Sequence, residues 1–458
     1  MKNFLKKIIP DAVLRLYHWT LALLGAIIYG FPSRKLKVIG VTGTKGKTTT
    51  CDLIAQILRG AGFKTGLATT VNFRIGEQEW KNEHKQTMLG RFKLQKILRQ
   101  MVRQGCQYAV IETSSEGILQ FRHRFIDYSA AVFTNLSPEH IERHGSFEKY
   151  RAAKLELFKK VAGKKEGVGV YNLDDKNAEF FLAVPVVRKY GFSLLPVSAS
   201  QQSNEAILRQ PGGSLIKLSS SENTSGSAII RAQISNIKLF SNRSEFDFND
   251  EHFSMPLLGE FNVANAGAAI CLAISQAVAM EKIKEILKTA KPPAGRLELI
   301  NEGQPFVVIV DYAHEPASLE AVYKTIKIFH PRKIIALLGA QGGGRDKSKR
   351  PILGEIASCY ADYIIVTNED PYDEKPEKII EEVISGIKNK ELKIKNREVF
   401  AILDRREAIK KALALAQPGD AVILTGKGGE SWMCVANGRK IPWDESLIVK
   451  EELRKLKN

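Results

Sequence analysis

The chain has 458 residues, enough for two or three domains at ~100–200 residues each. Hydrophobic residues make up 44% and charged residues 26%, a globular composition that excludes a disordered or collagen-like chain. Lys and Arg number 68 against 50 Asp and Glu, a formal +18, which calls for an anionic partner: nucleotide, sugar-phosphate, nucleic acid or acidic lipid. Cys51, Cys106, Cys271, Cys359 and Cys434 are scattered with no C-x-x-C pair. A reducing cytoplasm fits this spacing, and a zinc site or disulfide framework does not.

In chain order, the first element is the apolar run Leu16–Phe31 (LYHWTLALLGAIIYGF). Lys2, Lys6, Lys7 and Arg15 precede it, and Arg34, Lys35 and Lys37 follow. It is shorter than the ~20 residues of a spanning helix and contains His18. It ends in Tyr-Gly-Phe-Pro, which is not a signal-peptide cleavage site. A helix packed on the body of the protein is the first expectation, and an interfacial anchor on an acidic membrane the second. A spanning helix comes last.

From there, short apolar runs alternate with amphipathic stretches, the pattern of a parallel sheet covered by helices. Strands are expected at Lys37–Thr42, Tyr108–Glu112, Ala130–Leu136, Gly167–Asn172, Phe306–Asp311, Lys333–Leu338, Tyr363–Thr367 and Asp420–Thr425. Several end in an acidic or polar residue, where open α/β sheets bind ligands. Between Leu194 and Phe248 the texture changes to Ser, Gln and Asn alternating with apolar residues. That predicts short antiparallel strands, with a mobile loop at Ser219–Ser225 and little chemistry. Lys291-Pro-Pro-Ala-Gly295 reads as a hinge. The expected division is 1–37 as an apolar, basic helical segment, 38–293 as a central domain and 294–458 as a C-terminal domain.

The sharpest motif is GVTGTKGKTTT at residues 40–50, after an apolar strand and before a helix. Glycines let backbone N–H groups approach a polyphosphate, and the helix N-terminus adds its positive end. Lys47 would reach the β- and γ-phosphates, and the Thr48 hydroxyl would bind Mg²⁺. The strict P-loop pattern needs Gly at position 41, where this chain has Val41. Further on come Glu112-Thr-Ser-Ser115 at a strand end, FTNLSPEH ending at His140, and EKYRAAKLELF spanning Glu148–Phe158. Alone, Glu112 reads as a metal ligand or an ordinary strand-end carboxylate, His140 as a surface histidine, and Lys154 as a lysine on a solvated helix face.

Together these blocks resemble, in order and spacing, the Mur ligase family, and most of all its amino-acid-adding muramyl ligases. The GTxGK[TS] variant of the phosphate loop belongs to that family. LGEFNVANA (258–266), AGRLE (294–298), VDYAH (310–314), GGRDKSKRP (343–351), DRREAI (404–409) and GKGGE (426–430) continue the match. The resemblance implies an α/β fold: a P-loop ATPase domain with a mostly parallel sheet, then a Rossmann-like α/β C-terminal domain. It implies an ATP-dependent ligase that makes an acyl phosphate and then a peptide bond. ATP and Mg²⁺ at two sites would be the cofactors.

The same resemblance assigns residues. Gly43, Thr44, Lys45, Gly46, Lys47, Thr48 and Thr49 would hold the phosphates. Thr48 and Glu112 would hold one Mg²⁺, with His140 and a carbamylated Lys154 at the second. Tyr150 would support Lys154. Asn262 and Asn265 would lie beside the adenine, Arg296 at phosphate and Asp311 at ribose, in a site shared between domains that closes to exclude water. Ser114, Ser115, Arg122, His314, Arg345, Asp346, Lys347, Asp370, Tyr372 and Glu430 would face the substrates. The partners would be ATP, an amino acid and an anionic carboxylate acceptor, a UDP-muramyl-peptide first. No nucleic acid is expected, and the cytoplasmic chain should be a monomer with candidate membrane contact through 1–37.

There are departures. Only residues 1–37 precede the nucleotide-binding strand, where family members carry a domain that grips the uridine nucleotide. Glu116 replaces a histidine, Thr87-Met-Leu replaces TTP, Asp370-Pro371-Tyr372 replaces Asn-Pro-Arg, and Gly429 replaces the histidine of GKGHE. A folylpolyglutamate- or cyanophycin-type ligase is therefore the alternative. A nucleic-acid-stimulated ATPase lacks the aromatic-interleaved basic patches it would need. Family enzymes that add meso-diaminopimelate place an Arg where Tyr372 stands. With Asp373 and Glu374 following, L-lysine is the expected amino acid.

Overall fold

The computed structural model describes residues 10–84, 86–139, 144–195, 204–209, 215–222, 228–388 and 398–457, the side chains of Asp11, 204–222, Lys388 and Lys457 excepted. The chain divides into two compact units. The first is Met1–Lys238, Ser244–Pro256 and Phe261–Ala290; the second is Leu239–Arg243, Leu257–Glu260 and Lys291–Asn458.

In the first unit, β1 (Lys37–Thr42), β2 (Thr65–Ala68), β5 (Tyr108–Glu112), β6 (Tyr128–Phe133), β7 (Val168–Asn172) and β8 (Arg188–Ser193) form the parallel centre of the sheet, in the order β8-β7-β6-β1-β5-β2. β3 (Asn72–Ile75) and β4 (Gln78–Lys81) extend one edge antiparallel. β1 has a burial pattern of one exposed residue followed by five buried ones, as a central strand covered on both faces requires. At the other edge, β9 (Asn204–Arg209), β10 (Leu215–Glu222) and β11 (Ala228–Leu239) pair antiparallel, as do β12 (Ser244–Phe248) and β13 (Glu251–Met255). β11 also joins β8, in parallel. The loop expected at Ser219–Ser225 needs correction: 219–222 belong to β10, and 223–225 lie outside the described residues. Ser and Thr hydroxyls are compatible with strand, so low hydrophobicity alone misled the reading.

The apolar N-terminal run forms helix α1 (Asp11–Ile28), starting earlier than the hydrophobic stretch suggests. None of the helices is long and apolar enough to cross a membrane, among the described residues. α2 (Lys47–Gly60), α3 (Arg91–Arg103), the short α4 (Ser115–Leu119), α5 (Phe147–Ala162) and α6 (Glu260–Ser275) follow.

The second unit has β14 (Glu298–Leu299), β15 (Val307–Val310), β16 (Ile334–Leu338), β17 (Tyr363–Thr367), β18 (Glu398–Ile402) and β19 (Ala421–Leu424), in the order β14-β15-β19-β16-β17-β18. All pairs are parallel except β14 with β15. Side chains alternate along β16. Ile334, Ala336 and Leu338 pack with α7 (Pro316–Ile326), α8 (Lys349–Tyr360) and α9 (Pro376–Lys388), while Ile335 and Leu337 pack with α10 (Arg405–Leu415) and α11 (Glu445–Lys457). A parallel sheet between two helical layers is the Rossmann-like α/β arrangement.

Candidate active site

In the first unit, pairing registers bring three strand ends together. Val41 of β1 lies opposite Glu112 of β5, and Thr42 opposite Phe133 of β6. The loop 43–46, Glu112 and the Thr134–Asn135 pair therefore converge at the carboxyl edge of the sheet. Connections diverge to the two sides of β1 here, the usual ligand position of open α/β sheets.

Gly43 has φ of 152° and Gly46 of 79°. A Cβ on Gly43 would lie 2.0 Å from Thr134 Oγ1, and one on Gly46 2.2 Å from Asn265 Oδ1. Asn135 clamps the loop: its carbonyl accepts from the Thr44 N–H (2.9 Å) and its Oδ1 from the Lys45 N–H (2.9 Å). Thr134 Oγ1 donates to the Lys45 carbonyl at 2.6 Å. α2 starts at Lys47, so its first-turn N–H groups have no partner inside the helix and suit phosphate oxygens. Lys47 folds back over the loop, donating to the Thr44 carbonyl at 2.8 Å. Thr49, next along α2, is buried.

Thr48 Oγ1 donates to Glu112 Oε2 at 2.9 Å. The same carboxylate oxygen accepts from the Thr70 N–H (2.8 Å) and hydroxyl (2.9 Å). Burial with three donors fixes the carboxylate, and a hydroxyl beside an anionic oxygen is a donor set that fits a hard cation such as Mg²⁺. Thr70 follows β2, a strand too short to stand out in the sequence.

Lys154 is the least ordinary residue of this edge. Tyr150, Ala153, Lys154, Leu157, Phe158 and Val161 form the buried stripe of α5, so Lys154 lies on the core face and not on a solvated one. It is 1% exposed, and Nζ donates to the Gly43 carbonyl at 2.6 Å and sits 4.5 Å from the Tyr150 ring centroid. Burial, then neighbouring Lys47, pushes its amine well below the usual lysine range, against the pull of Glu139 and Glu112. A buried neutral amine fits a carbamate-forming lysine; an ammonium beside metal ions would not. Tyr150 hydroxyl meets Thr44 Oγ1 at 3.1 Å. His140 lies outside the described residues.

Ser115 Oγ meets Nε2 of the buried His144 at 3.1 Å, a histidine the sequence reading passed over. Ser114 caps α4, its hydroxyl accepting from the Gly117 N–H at 3.2 Å. Arg122 turns to the Met88 carbonyl and to Gln120. Asn265 Nδ2 donates to Asn262 Oδ1 (3.0 Å), and Thr50 Oγ1 to Asn265 Oδ1 (3.2 Å). With its contact to Gly46, Asn265 buttresses the phosphate loop.

In the second unit, Asp311 follows β15 and accepts the Leu297 N–H on Oδ2 and the Ala313 N–H on Oδ1, each at 2.7 Å. Burial raises its carboxyl, while Arg296 and the two N–H bonds oppose that. The Arg296 guanidinium stacks over Tyr312 at 4.3 Å. His314 Nδ1 meets the Tyr312 carbonyl at 2.8 Å. Burial, then Lys349, Arg345 and Arg296, holds it well below the usual histidine range and therefore neutral.

Asp370 and Lys427, both buried, pair at 3.1 Å; Lys427 also donates to Glu430 Oε2 and the Trp432 carbonyl, each at 2.7 Å. Tyr372 has φ of 52°, a left-handed conformation uncommon for a bulky residue, with its N–H on the Cys434 carbonyl at 3.1 Å. The acidic pair expected to attract a distal ammonium is corrected here. Asp373 accepts the Asn437 N–H at 2.8 Å, and Glu374 pairs with Lys347 (3.0 Å) and the fully buried Arg350 (3.1 Å). Asp346 is likewise local, accepting from the N–H and hydroxyl of Ser348 ahead of α8. Glu369 was also missed. It is 0% exposed, and neither carboxylate oxygen has a hydrogen-bond partner among the described residues; burial, then Asp370, raises its carboxyl against Lys427 and Arg405.

A phosphate loop, an oxygen pair suited to Mg²⁺ and a Rossmann-like second unit define a nucleotide-dependent α/β enzyme. A profile of the Mur ligase middle domain matches residues 41–273, and one of the Mur ligase, glutamate ligase domain matches 295–428. The chain belongs to the Mur ligase family and is an ATP-dependent carbon–nitrogen ligase. It is 35% identical to a UDP-N-acetylmuramoyl-L-alanyl-D-glutamate–2,6-diaminopimelate ligase of Syntrophomonas wolfei, covering 95% of this chain and 81% of that one. It is 36% identical to a UDP-N-acetylmuramyl-tripeptide synthetase of Borreliella afzelii, covering 94% and 79%. A folylpolyglutamate synthase structure from Mycobacterium tuberculosis shares the fold, with a TM-score of 0.62 at 15% identity, covering 98% of this chain and 99% of that one.

Proposed function

We propose that this chain adds one amino acid to a UDP-N-acetylmuramyl-dipeptide in peptidoglycan precursor synthesis, using ATP in the cytoplasm. The observation that supports it most directly is Lys154, a fully buried amine on the Gly43 carbonyl, beside the phosphate loop and the Thr48–Glu112 oxygen pair, with its basicity lowered by burial. The acceptor carboxylate attacks the γ-phosphorus, the bond to ADP breaks, and an acyl phosphate forms. The amino acid's amine then attacks that carbonyl and phosphate leaves, the amine losing a proton. Both steps concentrate negative charge, so fixed cations lower their barriers.

Lys47 swings from the Thr44 carbonyl onto the β- and γ-phosphates. Thr48 and Glu112 would hold one Mg²⁺; a carbamate on Lys154, formed by adding CO₂ with loss of a proton, would hold a second, with His140 as its partner ligand. Mg²⁺ supplies charge neutralisation at the phosphate oxygens. Arg296 takes a phosphate role and Asp311 a ribose role, while Asn262 and Asn265 lie on the adenine side. Ser115 and His144 orient the acceptor.

For the amino acid, L-lysine is favoured over meso-diaminopimelate. Tyr372 offers one neutral hydrogen bond where an Arg would form a charge-assisted, bidentate pair with the distal carboxylate. With Asp373 and Glu374 engaged elsewhere, this inference rests on Tyr372 alone. The test supplies ATP, Mg²⁺ and UDP-N-acetylmuramyl-dipeptide with both amino acids at equal concentration, and weighs the product. A lysine tripeptide is expected. Predominant diaminopimelate product would refute the role of Tyr372, and phosphate release only with a folate and glutamate would refute the acceptor.

A further inference from the structure

Among the described residues of the first unit, one face of α1 has no protein partner. On its inner side Ala22 and Ala26 are buried, and Gly25 is so near α3 that a Cβ would lie 3.5 Å from the Arg91 carbonyl. Trp19 meets Phe125 edge-on at 5.5 Å, and His18 bonds Arg91. On the outer side Val13, Leu16, Tyr17, Leu24, Ile27 and Ile28 recur at helical spacing and are 44–64% exposed. Thr20, within that stripe, returns its hydroxyl to the Leu16 carbonyl at 2.9 Å, so its polar atom is satisfied inside the helix. An apolar stripe of this extent needs a cover.

Charge identifies the cover. No Asp or Glu occurs between Asp11 and Asp52, nor between Glu83 and Glu112. Arg34, Lys35 and Lys37 stand exposed just beyond α1, and Lys93, Lys96 and Arg103 stand exposed on the helix packed against it. A second copy seated on this face would bring basic flank against basic flank. An acidic lipid surface answers both the stripe and the cations. α1 is not long and apolar enough to span, and its inner side is already seated on protein.

We propose that α1 and the basic residues around it seat this protein peripherally on an anionic phospholipid surface, with the helix axis along the membrane plane and its outer stripe in the headgroup boundary. The proposal is independent of which acceptor the ligase uses. The test is co-sedimentation of the full-length protein with vesicles of phosphatidylglycerol and phosphatidylcholine, against phosphatidylcholine alone. Binding is expected only with the anionic lipid, weakened by about 0.5 M salt as charges are screened. Ile27→Glu/Ile28→Glu, at exposed positions, should weaken it roughly tenfold or more, through lost apolar burial and added repulsion, with ATP affinity unchanged. Lys93→Glu/Lys96→Glu should weaken it as well. Equal partitioning on neutral and anionic vesicles, no binding to either, or a wild-type dimer dispersed by Ile27→Glu/Ile28→Glu would each overturn the proposal.

Discussion

Lys154 is a cation by type, and its burial at this position favours the neutral amine. Its Nζ donates to the Gly43 carbonyl, and it shares the loop edge with Lys47. Lys154→Ala should abolish product formation while leaving ATP affinity within a few-fold, because the loop backbone and Lys47 hold the nucleotide. Isothermal titration and a product assay separate the two effects, and unchanged turnover would remove the carbamate from the mechanism. Only the neutral amine adds CO₂, so acid should reduce carbamate occupancy, and bicarbonate should raise activity of the wild type but not of Lys154→Ala. The depressed folded value makes the sign explicit: protonation of an uncarbamylated Lys154 on the acid side opposes the folded state.

At the scale of elements, the phosphate loop is a strand end, two left-handed or extended glycines and a helix start, held by Thr134 and Asn135. Gly43→Ala should keep the fold yet weaken ATP binding by about tenfold to a hundredfold, since backbone strain and displacement of Thr134 together cost on the order of 1–3 kcal/mol. Circular dichroism should be unchanged while calorimetric affinity falls; wild-type affinity would contradict the clamp. Much of this was legible in the sequence. Strands at Lys37–Thr42, Tyr108–Glu112 and Tyr363–Thr367 match to the residue, because buried parallel strands are continuous apolar runs with polar ends. Thr70, Asn135, His144 and Glu369 gained their significance only from pairing register and loop closure, which one-dimensional spacing does not carry. The stripe on α5 was present in the spacing of Tyr150, Leu157 and Val161, and it contradicts the ordinary expectation for a helix lysine.

At the scale of the whole molecule, +18 is a field as well as a composition. ATP and a UDP-linked carboxylate acceptor are polyanions, and long-range attraction enters their capture more than the chemical step. Raising ionic strength from about 0.05 to about 0.5 M shortens the Debye length from over 10 Å to under 5 Å and screens that attraction. kcat/KM for ATP should therefore fall several-fold across this range, while kcat at saturation changes little. An amino acid carrying a net positive charge is repelled by the same field, so the KM of L-lysine should stay level or decline as salt rises. Opposite salt responses of the two substrates in one steady-state series would tie the excess of basic residues to substrate capture. A parallel loss for ATP and lysine would point instead to general salt inhibition, and would confine the role of the charge to the lipid-facing region of α1 and α3.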